Sequence, residues 1–401
     1  MLEPSAALGV YLHIPYCSAI CHYCDFAKTA RWDTSHTDAY FKVLTKHLGS
    51  WCASLLPEVF PAIYTLNIGG GTPSLFVEEY RQIMTVLAPF LASESEQSIE
   101  ANPRDCSLVK LQSWGDLGFN RLSLGVQSFD PRGLKLLKRD HDGHEARESI
   151  GRALQVFDNV NVDLIYNWPG QSPTDFLADL EQVLAFGVPH LSLYDLCYPA
   201  KTPLGRQLRR GRIVAPSEEK QELLYRLAGE RLEAEGYIHD EVSNWTKPGF
   251  LCKHNWLYWQ GGYYLGVGAG AHGYLPAAGH PYGRRYAYES SDRRFERLPA
   301  PVGNSILLTD EEAKLYGLRF EQRDARAWLY EYIGSATRCR LGLDMDKVAF
   351  ISGFNFVPTE LIRSALGEGK LQLQGRCLLL DKKEWIREIW WCEKIIDCFA
   401  P

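Results

Sequence analysis

The chain has 401 residues, 46% of them hydrophobic and 23% charged, with a formal net charge of −6. Such a length and composition suit a globular protein of one large domain with appendages, or of several domains. The acidic balance and the lack of a dense Lys/Arg run argue against a nucleic-acid binder. The basic cluster Arg206, Arg209, Arg210 and Arg212 reads as a solvated helix end. Residues 1–9 carry neither the basic nor the apolar block of a secretory signal. No apolar stretch approaches the ~20 residues that cross a bilayer. Eleven cysteines are an odd number and too sparse for a disulfide framework, so a reducing, cytoplasmic setting is expected.

The first predicted strand, Gly9–Ile14, runs straight into a loop that carries Cys17, Cys21 and Cys24 in a Cys-x3-Cys-x2-Cys spacing. Three thiolates are one fewer than an iron–sulfur cluster or a closed zinc site takes. A cubane held by three protein sulfurs keeps one iron open to a small-molecule ligand, so the shortfall points to chemistry more than to a staple. A structural zinc site completed by His13 or His22 is the plainer alternative. The second strand, Ile63–Ile68, leads into Gly69-Gly-Gly-Thr-Pro73, where backbone without Cβ can meet a ligand. Glycine turns after strands are common, and this one gains weight only by its position.

Helical spacing follows at Tyr80, Ile83, Met84, Leu87, Ala88 and Leu91. Further strands are expected at Ser98–Asn102, Arg121–Val126, Asn161–Ile165 and His190–Leu196. A helix carrying Phe176, Leu177, Leu180, Val183 and Leu184 starts with Ser172 as N-cap and Pro173 in the first turn. Six strand–helix units imply a parallel sheet with right-handed crossovers, doubly wound or an incomplete barrel, binding ligands at the carboxyl ends of its strands. The cysteine loop and the glycine triplet then share one rim. Glu100, Gln127 and Asp163 at strand ends, and Arg139 beyond a loop, are further candidates there.

After a helix at Ser217–Glu235 the chain turns aromatic- and glycine-rich over 237–290. Gly268-Ala-Gly-Ala-His-Gly273 has the dinucleotide spacing but no strand-to-helix context, so a tight backbone passage beside a ligand is expected instead. His254-Asn255-Trp-Leu-Tyr258-Trp259 gathers an imidazole, an amide and aromatics. By spacing alone a satisfied core histidine is the simpler account, against an aromatic wall with an axial ligand for a large π-system. From Thr309 a third region opens with a helix and closes with short elements near Leu371–Leu380 and an amphipathic tail.

Together these residues resemble the radical SAM superfamily, in its coproporphyrinogen oxidase-like branch. The likeness runs through Tyr11-Leu-His-Ile-Pro-Tyr-Cys17, Gly69–Ser74, Glu100-Ala-Asn-Pro-Arg104, Arg121–Phe129 and Asp163-Leu-Ile-Tyr166. It implies an α/β fold, an incomplete (β/α)6 TIM-like barrel with a C-terminal α+β appendage of winged-helix type. The expected divisions are a core over 1–236, an aromatic segment over 237–305 and a C-terminal domain over 306–401. It also implies a [4Fe–4S] cluster on Cys17, Cys21 and Cys24, with S-adenosylmethionine (SAM) on the open iron. By motif position, Tyr11, Tyr23, Gly70, Gly71, Thr72, Glu100, Gln127, Arg139 and Asp163 contact SAM.

Oxygen-independent coproporphyrinogen III oxidases carry a fourth cysteine where this chain has Phe26, and a longer N-terminal extension. The chain is therefore more similar to the heme-chaperone subfamily, which shares Asp-Phe after the third cysteine and the motif His-Asn-x-x-Tyr-Trp, here His254, Asn255, Tyr258 and Trp259. That resemblance implies heme bound through this motif with His254 leading, delivery to a heme-accepting client of the respiratory chain, and no residue in a catalytic role. A homodimer, and contact with a membrane only through a client, belong to the same picture. The competing expectation is a true oxidase, decarboxylating coproporphyrinogen III by radical chemistry.

Overall fold

The computed structural model describes residues 7–277, 279–301 and 308–400. The first six residues and the expected boundary at 305/306 lie outside the described residues. Among the described residues no helix is long and apolar enough to cross a membrane.

Six strands run parallel and in chain order: β1 (Leu8–Ile14), β2 (Ile63–Gly70), β3 (Leu91–Ala101), β4 (Arg121–Gln127), β5 (Asn159–Tyr166) and β6 (His190–Asp195). Helices connect them, as the strand–helix alternation requires. The helix Pro173–Leu184 begins on a capping box in which Ser172 accepts from the Asp175 N–H and Asp175 reaches back to Ser172. Leu8, Val10, Leu12 and Ile14 on one face of β1 are wholly buried, and on the other Gly9 and His13 are buried and Tyr11 partly so, as expected for a parallel strand covered on both faces.

Two boundaries differ from the sequence expectation. The helix Glu79–Leu87 stops before Pro89, so Leu91 opens β3 instead of closing the helix. β3 therefore starts well before Ser98, in a Ser/Glu-rich stretch with weak strand propensity whose ladder to β2 slips between Ile63 and Thr65.

The sheet does not close. β7 (Ile238–Glu241) and β8 (Asn244–Thr246) cap the β6 edge antiparallel, while β9 (Tyr263–Val267) lies parallel against the outer edge of β1. β10 (His272–Ala277), β11 (His280–Tyr288) and β12 (Leu318–Glu321) continue antiparallel from β9. The barrel is thus incomplete, and strands from the expected middle and C-terminal segments share its sheet. Beyond it, the order helix Ala325–Ala336, strand Leu343–Asp344, helices Met345–Ser352 and Glu360–Gly367, and strands Leu371–Gln374 and Cys377–Leu380 is that of a winged helix.

One helix ties the two halves of the sheet together. Along Thr34–Leu55, Trp51 stacks on Tyr286 of β11 with ring centroids 5.4 Å apart, and its indole donates to the Tyr288 hydroxyl. At its start the buried Tyr40 hydroxyl donates to the His13 carbonyl of β1 at 2.8 Å and accepts from the Ala269 N–H at 2.8 Å. Replacing Tyr40 by Phe removes both bonds at a dry site, and should lower stability in denaturant melts by about 1–3 kcal/mol. An unchanged midpoint would contradict this role.

Candidate cofactor rim and aromatic cleft

The cysteine loop follows β1 and is fixed by backbone and side-chain bonds at both ends. Cys17 N–H donates to Thr29 O and Thr29 N–H to Pro15 O, while Trp32 Nε1 donates to Cys17 O at 2.9 Å. Farther along, His22 N–H meets Leu137 O, and Lys28 Nζ donates to the carbonyls of Cys24 and Phe26. The two histidines that could complete a zinc site are engaged elsewhere: His22 Nδ1 with Leu136 O, and His13 with Tyr11 Oη and Ala27 O. Burial pushes the Cys17 thiol up to about 11 and raises Cys24 as well. Loading a metal group there must displace thiol protons.

All three cysteines line a cavity of about 500 Å³, together with Tyr23, Gly70, Gly71, Thr72, Glu100, Gln127, Arg139 and Asp163. β2 and the turn after it deliver the glycines, and Glu100 of β3 and Gln127 of β4 lie at the carboxyl rim, while Asp163 faces the cavity from the middle of β5. Gly70 has a φ of +115°, and a Cβ there would fall 2.6 Å from the His13 ring, so no other residue fits. Gln127 holds a left-handed φ of +69° that a non-glycine residue seldom adopts, and its Oε1 is buried without a partner.

Arg139 donates to Cys21 Sγ at 3.2 Å, Asn102 Oδ1 at 3.2 Å and Gly125 O at 2.8 Å, and its buried Nε is unpaired. Burial, then the nearby Asp163 carboxylate, push Glu100 up to about 7 against the opposing bond from Gly70 N–H. Asp163 accepts from Ser123 and Asn161 and is itself raised, first by burial. Two crowded carboxylates, an arginine and orphaned polar atoms at a dry rim suit a small zwitterionic, cationic ligand beside three thiols.

Tyr11 does not join this cavity. It lines a second cleft of about 650 Å³ on the other side of the β1 end, walled by Tyr258, Trp259, Tyr264, Tyr274 and Trp328 among others. Phe26 lines both spaces. So does the short helix Lys253–Trp259: Asn255 faces the cysteine cavity, while Tyr258 and Trp259 face the cleft. Glu96 of β3 caps this helix, accepting the N–H groups of Lys253 and His254 at 3.0 Å each.

His254 takes the form of the satisfied core histidine expected from spacing alone, and not that of the heme ligand the resemblance implies. It is 1% exposed, its Nδ1 bonds Thr65 Oγ1 at 2.7 Å and its Nε2 bonds Tyr258 Oη at 2.7 Å. Burial pushes its pKa down to about 3. Both ring nitrogens are occupied, so its lone pair cannot also meet an iron in this arrangement. The Gly268–Gly273 run is a turn into β10 rather than a helix start, with Gly268 at a φ of +121° against the His13 carbonyl.

Residues 11–183 match the radical SAM superfamily. A heme chaperone HemW from Mycobacterium tuberculosis (strain ATCC 25618 / H37Rv) is 38% identical over 385 residues, covering 94% of this chain and 92% of its own. The chain belongs to the HemW family of radical SAM proteins. HemW of Lactococcus lactis subsp. lactis is 39% identical over 277 residues, 68% of this chain and 70% of its own. Among solved structures, the coproporphyrinogen III oxidase HemN of Escherichia coli aligns with a TM-score of 0.75 at 19% identity, covering 98% of this chain and 91% of that one. That likeness shows the fold alone. Radical SAM membership implies a [4Fe–4S] cluster and SAM, and the three thiols, unpaired polar atoms and glycine rim fit such a pair.

Sequence reasoning missed Cys252 on the cysteine cavity and His272, Arg285 and Arg323 on the cleft. The last three sit on short strands or between elements, where periodicity gives no signal. Glu100 gives a direct electrostatic test. Its folded pKa lies above the unfolded value, so its ionisation costs stability as pH rises from about 4.5 through 7, by roughly 3 kcal/mol at pH 8. In the cluster-free protein Glu100→Gln should therefore raise the melting temperature clearly at pH 8 and much less at pH 5. Equal shifts at both pH values would refute the buried-carboxylate assignment.

Proposed function

We propose that this protein is a cytoplasmic heme chaperone that binds heme beside a [4Fe–4S] cluster and SAM and passes the heme to a heme-accepting client. The observation that carries this reading is the helix of the His254–Trp259 motif, which lines the cysteine cavity with one residue and an aromatic cleft of porphyrin size with two others. The 38% identity to HemW heme chaperones over nearly the whole chain supports it. All eleven cysteines are free thiols, in keeping with a reducing compartment.

Cys17, Cys21 and Cys24 hold the cluster in this reading. Tyr23, Gly70, Gly71, Thr72, Glu100, Gln127, Arg139 and Asp163 surround SAM, with Arg139 suited to its carboxylate and the acidic pair to its hydroxyls and charge. When bound, this pair supplies reductive cleavage chemistry at a sulfonium. Tyr11 is reassigned to the cleft, where its hydroxyl bonds His13 at 3.0 Å. Tyr258 and Trp259 offer flat faces to a porphyrin, and His254 orients Tyr258 from beneath. Phe26, 68% exposed, places a carbon ring where the oxidases carry a further sulfur.

Full-length protein with a reconstituted cluster, incubated anaerobically with SAM and reductant, should take up heme and pass it to an apo-hemoprotein. It should leave coproporphyrinogen III unconverted. Formation of protoporphyrinogen would replace the chaperone reading with the oxidase one.

A further inference from the structure

The aromatic cleft holds one imidazole that nothing else in the fold uses. His272 opens β10, is exposed into the cleft, and its ring nitrogens have no hydrogen-bond partner among the described residues. Its position is set by backbone on both sides, through pairing with Ala287 of β11 and the close passage of Gly266 of β9, where a Cβ would fall 1.7 Å from His272 O. By contrast, His13 and His254, the nearest other imidazoles, have both nitrogens engaged.

Two cations stand at the same cleft. Arg285 Nη1 lies 3.1 Å from Glu331 Oε1, and Arg323 Nη2 lies 2.5 Å from Glu331 Oε2, while Arg285 also pairs with Glu321 and Arg323 Nη1 donates to Tyr282 O. The Nε of each makes no hydrogen bond, with Glu321 at 3.7 Å from that of Arg285. Arg323 is also stacked 4.9 Å from the Tyr274 ring centroid, which holds its plane at the wall. Flat aromatic walls, a free imidazole and two guanidiniums at the wall are complementary to a planar, iron-bearing, dicarboxylic macrocycle.

Resting on the chaperone reading, we infer that the heme site is this cleft, with His272 as the axial ligand and Arg285 and Arg323 as the propionate grips. His254 then serves as a positioning residue for Tyr258 rather than as a ligand to iron.

The test is heme titration of full-length protein with its cluster reconstituted, read by Soret absorbance and by the iron–imidazole stretch in resonance Raman of the ferrous complex. His272→Ala should abolish the iron–imidazole band and weaken binding at least 10-fold, and added free imidazole should restore the band. His254→Gln should keep the band even where affinity falls, with folding checked by circular dichroism. Arg285→Gln and Arg323→Gln should weaken binding of heme but not of its dimethyl ester. An unchanged band in His272→Ala, or its loss in folded His254→Gln, would overturn the assignment of the ligand. Failure of the unsubstituted protein to take up heme would instead overturn the chaperone reading itself.

Discussion

The arrangement hangs on the carboxyl end of β1, held between two parallel neighbours and locked by the Tyr40 hydroxyl. That hydroxyl joins the His13 carbonyl to the Ala269 N–H, so the end of the first barrel strand and the glycine turn after β9 cannot move independently. The chain leaving β1 carries the cysteines to one side. The side chains of Tyr11 and His13, two residues apart on one face of the strand, point to the other. One strand end thereby organises two cavities that share a wall.

In the proposed function, that shared wall would stand between cluster and cargo. Phe26 and the helix Lys253–Trp259 border both spaces, and Lys28 ties the carbonyls beside Phe26 into the cysteine loop. A change in what the three thiols hold would be felt across a single aromatic ring and one turn of helix. Such adjacency needs no large motion, only a wall whose position depends on the loop. It also gives the missing fourth cysteine a structural sense, since the residue at that place faces a second compartment as well as the cluster.

The barrel was legible in the sequence because its strands are largely buried and bounded by helices with readable caps, Ser172 and Ser217 among them. The cysteine spacing and ordered motifs likewise marked most of the rim. The first half of β3 was hidden by its Ser and Glu residues, though it carries Glu96, which caps the motif helix. Spacing alone favours a core histidine for His254, as the structure has it, whereas the family motif points to a heme ligand, and its bonds could not be read from either. Its partner Thr65 lies far away in the chain, on β2, and no motif spacing reveals whether an imidazole has a free nitrogen. His272 lies inside a glycine run whose spacing signals backbone and not side-chain chemistry, and strand alternation groups Tyr11 with His13 where motif position does not.

In the proposed function a porphyrin and the cluster lie side by side, separated by the Phe26 wall. The most direct measurement is the fluorescence lifetime of zinc protoporphyrin bound to the full-length protein, with and without the reconstituted cluster. Close apposition predicts strong shortening of the lifetime when the cluster is present. An identical lifetime in the two states would place the porphyrin elsewhere on the molecule and contradict the account.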